Sequence, residues 1–108
     1  MFKIGDVIGI PYFPNQEDPL KGKARTVIIV DVTSNGYIII PMTSQLHQAS
    51  RYNKTILIRK NDETGRKIGL KFDSLLIIDR KITIGKHFPV NPKYIGNSGQ
   101  EFILKHNL

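Results

Sequence analysis

The chain has 108 residues, enough for one domain with a modest apolar core and too few for two. Its 40% apolar content argues against disorder, and 16 Lys and Arg against 9 Asp and Glu leave a formal charge of +7. That excess suits a polyanionic partner: nucleic acid, an acidic protein segment or an anionic membrane surface. The absence of cysteine excludes disulfides and thiolate metal sites and makes a cytoplasmic location the default expectation.

The opening stretch, Met-Phe-Lys-Ile-Gly-Asp, lacks the apolar region and small-residue cleavage site of a secretory signal. No apolar run approaches the ~18 residues of a membrane span, and no basic amphipathic helix is visible, so no membrane partner is expected. Isoleucine is abundant and alanine occurs only at Ala24 and Ala49. Side chains stiff at χ1 suit a pleated, half-buried surface better than a helix.

In chain order, residues 3–11 alternate loosely as a first strand, and Pro14, Asn15, Asp18 and Pro19 mark a loop. Residues 25–32 and 37–40 read as strands around Ser34-Asn35-Gly36, an Asn-Gly hairpin signal. Residues 55–59 form another short strand, 61–65 contain a turn, and 74–79 read as a buried strand. Residues 81–84 continue it or begin a last one. Helix is plausible over 45–52 and over 99–106, where Ser98 could cap the first turn. Five or six short strands in a chain of this length predict a mostly β fold, a small SH3-like barrel with one or two short helices, filling residues 1–108 as one domain.

Several chemistries are disfavoured. His47, His87 and His106 are not spaced as metal ligands, and no glycine-rich phosphate loop, nucleophile elbow or dinucleotide fingerprint occurs. Neither a metal nor a cofactor is expected. Two segments stand out. In the first, Lys21, Lys23 and Arg25 lead into Thr-Val-Ile-Ile-Val. A guanidinium at a strand mouth can grip a phosphate bidentately, or it can pair with a carboxylate such as Asp6 or Asp31. In the second, a strand that halts at Pro41 hands over to Thr43, Ser44 and Gln45. Those hydroxyl and amide groups can donate to phosphates or base edges, or they can simply make a turn. His47, Arg51, Tyr52 and Lys54 then interleave cations with a ring, a weak signature of single-stranded nucleic acid binding.

Lys-Ile-Gly-Asp-Val-Ile at residues 3–8, Lys-Ala-Arg-Thr-Val-Ile-Ile-Val at 23–30 and Ile-Ile-Ile-Pro-Met-Thr-Ser-Gln at 38–45 occur in an order that resembles the PemK/MazF toxin family. The late run from Asp73 to Asp79, followed by Ile82-Thr83-Ile84, looks like that family's buried strand and its successor. The resemblance implies an SH3-like barrel, usually a homodimer. It also implies an endoribonuclease of a toxin–antitoxin pair that cuts single-stranded RNA without metal and is held by an acidic antitoxin protein. The ribose 2′-OH would attack its own phosphodiester, leaving a 2′,3′-cyclic phosphate and a 5′-OH. Arg25 and Thr43 match the family's catalytic arginine and threonine, with Ser44 in support. Arg25 would clamp the phosphorane, since a guanidinium does not readily give up its proton.

The chain departs from the family in having Thr26 where proline usually follows the arginine. Arg80-Lys81-Ile82 also stands in place of a Gln-Ile-Arg run. His47 and Asp73 are the titratable candidates for proton transfer, and Lys21, Lys23, Gln45, Arg51, Tyr52 and Lys54 those for RNA binding. The alternative expectation is a catalytically degenerate barrel that binds nucleic acid or a protein without cleaving.

Overall fold

The computed structural model of the chain describes residues 1–14, 22–87 and 91–108. Strands β1 (Asp6–Pro14), β2 (Gly22–Val32) and β3 (Gly36–Thr43) form an antiparallel meander. After a 3₁₀ turn at Leu46–Arg51 come β4 (Thr55–Ile58), helix α1 (Glu63–Ile68) and β5 (Ser74–Ile77). A second 3₁₀ turn at Ile78–Arg80 leads to β6 (Ile82–Gly85), β7 (Lys93–Asn97) and helix α2 (Gln100–Lys105). The seven strands make one sheet in the order β4-β5-β3-β2-β1-β7, and β6 pairs with the free half of β3. The mostly β expectation, with short helices, holds. Among the described residues β4 and β7 do not pair with each other, so the hydrogen-bonded path stays open rather than closing into a barrel.

The isoleucine-rich runs have a direct packing cause. Val7, Ile28, Ile40, Met42 and Leu76 lie in a core with Ile58, Ile68 of α1 and Phe102 and Ile103 of α2. Their neighbours Ile8, Val27, Ile29 and Ile39 face the other way, into a second core with Ile10, Phe13, Tyr37 and Ile84. The three central strands are therefore buried on both faces, which calls for continuous rather than alternating apolar sequence. At about 25 cal/mol per Å², each such aliphatic side chain contributes on the order of 1.5–3 kcal/mol by leaving water.

Several local features differ from expectation. The hairpin joins Val32 to Tyr37 as anticipated, but neither Asn35 nor Gly36 adopts positive φ. The Thr33 hydroxyl holds the turn instead, accepting from the amides of Asn35 at 3.3 Å and Gly36 at 3.0 Å. Glycine is required at 36 for another reason: a Cβ there would fall on the Ile84 carbonyl of β6. Strand β3 does not stop at Pro41 but runs on to Thr43. Pro41 falls where β3 changes partner from β6, at Ile39↔Ile82, to β5, at Met42↔Leu76. A residue with no amide is tolerated in a central strand at such an interruption. The turn expected over 61–65 continues into α1. Ser98 does not cap α2, because its hydroxyl donates to the Gly99 carbonyl at 3.1 Å and Gly99 occupies the cap position. β7 was not anticipated at all.

β7 closes one end of the fold. Asp6, buried, accepts from the Lys3 amide and from Asn97 Nδ2, each at 2.8 Å, tying β1 to β7. Above β7 runs the end of α1, so close that a Cβ on Gly96 would strike the Ile68 carbonyl. Among the described residues no helix is long and apolar enough to cross a membrane.

Candidate nucleic-acid interface

The β2–β3 register brings together the two residues on which the catalytic reading depends. The last paired residues are Thr26↔Met42, and one further step along the same register sets Arg25 opposite Thr43. Alternation along both strands puts the two on the sheet face of Val27, the face opposite Thr26 and Met42. Arg25 is half-buried and pairs along β1 with Ile10. Neither Asp6 nor Asp31 pairs with it. Asp6 is engaged by Lys3 and Asn97, and Asp31 accepts from the Val32 amide at 2.8 Å. Lys67 pairs with Glu63 within α1, remote from Arg25. β2 begins at Gly22, so Arg25 lies inside the strand rather than at its mouth as expected, and among the described residues no carboxylate pairs with its guanidinium; a phosphate could take that place.

Thr43 ends β3, paired with Leu75 of β5. Its Oγ1 accepts from the Gln45 amide at 3.1 Å, so it does make a turn. The turn occupies one lone pair and leaves the hydroxyl proton available to donate. Ser44 is exposed beside it, and the Gln45 side chain accepts from Gln48 Nε2.

Thr43 and Ser44 line a groove of about 440 Å³ between the β3 end, the segment that follows α1, and β7. Its other walls are Lys71 and Phe72 on one side and Lys93 and Tyr94 on the other, with Thr26 and Ser74 adding hydroxyls. The sequence reading missed these four wall residues. The signal available was the pair of Lys-aromatic steps, Lys71-Phe72 and Lys93-Tyr94, but without β7 nothing set them facing one groove.

Arg25 itself does not line this groove, and the remaining candidates lie elsewhere too. His47 and Arg51 are exposed on the 3₁₀ turn Leu46–Arg51 and do not line the groove. Tyr52 sits under the Arg80 guanidinium, 5.7 Å from the ring centroid. With Lys54 it lines a second groove bounded by the α2 end. Asp73 accepts from the Lys60 amide at 2.8 Å, latching the end of β4 to the start of β5, and it too lies off the groove. Lys21 and the side chain of Lys23 lie outside the described residues.

No family model matches the chain, and no curated protein does.

One carboxylate departs from its ordinary behaviour. Asp79 accepts from the amides of Asn53 at 2.9 Å and Lys54 at 2.7 Å, and these bonds hold its pKa below the usual carboxylate value. It anchors the approach to β4. Its backbone partners mark it as a structural carboxylate, one that sequence spacing gave no reason to single out. Among the described residues no three His, Asp or Glu side chains converge as a metal site would require.

Proposed function

We propose that this protein is an endoribonuclease that cleaves single-stranded RNA without metal, with Arg25 and Thr43 gripping the scissile phosphate. The observation that supports this reading is the β2–β3 register, which one step beyond Thr26↔Met42 would set Arg25, unpaired with any carboxylate among the described residues, across from Thr43 at the end of β3. The ribose 2′-oxygen attacks the adjacent phosphorus, the P–O5′ bond breaks, and a 2′,3′-cyclic phosphate and a 5′-OH result. One proton leaves the 2′-OH and one joins the 5′-oxygen, so the step consumes neither water nor a co-reactant. Charge accumulates on the non-bridging phosphorane oxygens, where a fixed guanidinium and a hydroxyl donor stabilise the transition state more than the ground state. The resemblance to the PemK/MazF toxins supports the same chemistry. The charge of +7 fits both RNA and an acidic antitoxin protein that would hold the enzyme in check as a homodimer.

Incubation of the purified chain with mixed-sequence single-stranded RNA in EDTA tests the proposal. Fragments bearing 5′-hydroxyl and cyclic phosphate ends are expected. Arg25→Ala should lower the rate on the order of 10²- to 10³-fold, the usual loss for one oxyanion-stabilising donor. Intact RNA with the wild-type chain would overturn it.

A second reading, a barrel-like domain that binds without cutting, is favoured by one observation. Neither His47 nor Asp73 lines the groove, and Asp73 is committed to the Lys60 amide. Salt-sensitive RNA binding with no cleavage, indifferent to Thr43→Ala, is its signature.

A further inference from the structure

We propose that the groove between Phe72 and Tyr94 is a base-stacking subsite for single-stranded RNA, with Lys71 and Lys93 on the flanking phosphates. The proposal rests on the reading that this chain engages RNA, and it adds where the bases go. Phe72 is 67% exposed and Tyr94 56% exposed, both on the walls of one groove. Two large rings left in water contribute little to folding, so their placement calls for a ligand with flat apolar faces. Each ring follows a lysine in sequence, and all four side chains line the same groove. No carboxylate lines it among the described residues. By contrast, the groove between the two helices is of mixed charge, with Asp62, Glu63 and Glu101 set against Lys67 and Lys105.

The floor separates RNA from an acidic peptide. Thr26, Thr43, Ser44 and Ser74 place hydroxyls there. Ser74 already donates to the Phe72 carbonyl at 3.1 Å, which fixes the ring-bearing segment. Hydroxyl donors, lysines and ring faces together match the three surfaces of a nucleotide: sugar, phosphate and base. A peptide carboxylate would use the lysines alone. Thr43 lines the groove, whereas Arg25 does not and lies on the face opposite Thr26 and Met42, so a strand stacked here would reach the Thr43 end of the pair first.

The chain has no tryptophan, which makes a clean reporter possible. Binding is read by anisotropy of a fluorescein-labelled 2′-O-methyl oligoribonucleotide of about ten nucleotides, which cannot be cleaved, and by fluorescence of the Phe72→Trp variant. Phe72→Leu and Tyr94→Leu, which keep apolar bulk but lose the ring, should each weaken binding about 10-fold or more. Phe72→Trp should bind at least as well as wild type and be quenched on binding. Lys71→Gln and Lys93→Gln should each reduce the slope of log K against log salt by about 0.7.

Unchanged affinity in both leucine variants, while wild type still binds or cuts RNA, overturns the subsite and leaves the proposed function standing. Wild type that neither binds the oligonucleotide nor cuts RNA overturns both. Quenching of Phe72→Trp by polyglutamate but not by RNA, or loss of self-association in the leucine variants at unchanged RNA affinity, assigns the groove to a protein and also overturns the subsite.

Discussion

Replacing Gly96 by alanine tests whether α1 and β7 are as closely joined as described. The new Cβ would meet the Ile68 carbonyl, and backbone cannot swing aside as the end of a long side chain can. Either β7 must separate from β1 or α1 must lift, and α1 carries Ile68, 1% exposed, into the main core. Overpacking of this kind costs about 1–3 kcal/mol, and partial exposure of Ile68 falls in the same range. For a domain of this size, about 2 kcal/mol lowers Tm by roughly 8–16 °C. Gly85→Ala is the control. A Cβ there meets nothing within 4 Å and the backbone is not left-handed, so reduced freedom of the unfolded chain should leave Tm level or raise it slightly. Thermal unfolding followed by circular dichroism compares the two. A Gly96→Ala protein melting at or above wild type would refute the proposed proximity, and with it the reason the groove wall of residues 70–72 faces Tyr94.

Other expectations concern single side chains. Leu76→Ala, at a fully buried position in the main core, should cost about 2–5 kcal/mol in denaturant unfolding, whereas Leu104→Ala, exposed on α2, should change little. Asp79 has a folded pKa below its unfolded value, so its contribution to stability is complete above the ordinary carboxylate pKa and fades as pH falls through the lowered one. Asp79→Asn should therefore flatten acid unfolding in that window, and faster amide exchange at Asn53 and Lys54 should accompany it. Thr43→Ser should retain RNA cleavage while Thr43→Val loses it. Both keep the strand end, but only serine keeps a hydroxyl, and equal rates would remove Thr43 from the phosphate grip.

Much of the sheet is legible in the sequence because its signals are local. The runs at Val27–Val30 and Ile38–Ile40 announce strands through branched side chains, although the expected half-buried surface proves buried on both faces. The hairpin between them is legible too, though its mechanism is not. Asn-Gly suggested a left-handed turn, whereas Thr33 holds the turn and Gly36 makes room for Ile84, a residue 48 positions later. Helix α1 escapes notice because its six residues, Glu-Thr-Gly-Arg-Lys-Ile, offer a single buried aliphatic and an internal glycine. β7 escapes because Lys-Tyr-Ile-Gly-Asn is held by pairing with β1 and by α1, not by its own propensity.

The site divides along the same line. The strands that carry Arg25 and Thr43 could be anticipated from local signals, but their facing could not, because a bulge between Ile29 and Asp31 shifts the register by one residue from that at the hairpin. The groove beside them could not either, because its walls come from segments that meet only in three dimensions. The aromatic-and-cation cluster at Arg51 and Tyr52 lies away from this groove, with Tyr52 against Arg80.

The pairing of β1 with β7 has a consequence for how the molecule comes into being. Asn97 clasps Asp6 across 91 positions of chain, so the outer edge of β1 stays bare until β7 has been made. Contacts that distant close slowly, because a long loop must be ordered before any pairing rewards it. The Tyr94 wall of the groove arrives with that last strand. During synthesis, the hairpin that presents Arg25 and Thr43 can form well before the groove beside it exists. A nascent chain would then carry its proposed phosphate grip without its proposed platform for bases, and the groove would appear only once β7 has emerged.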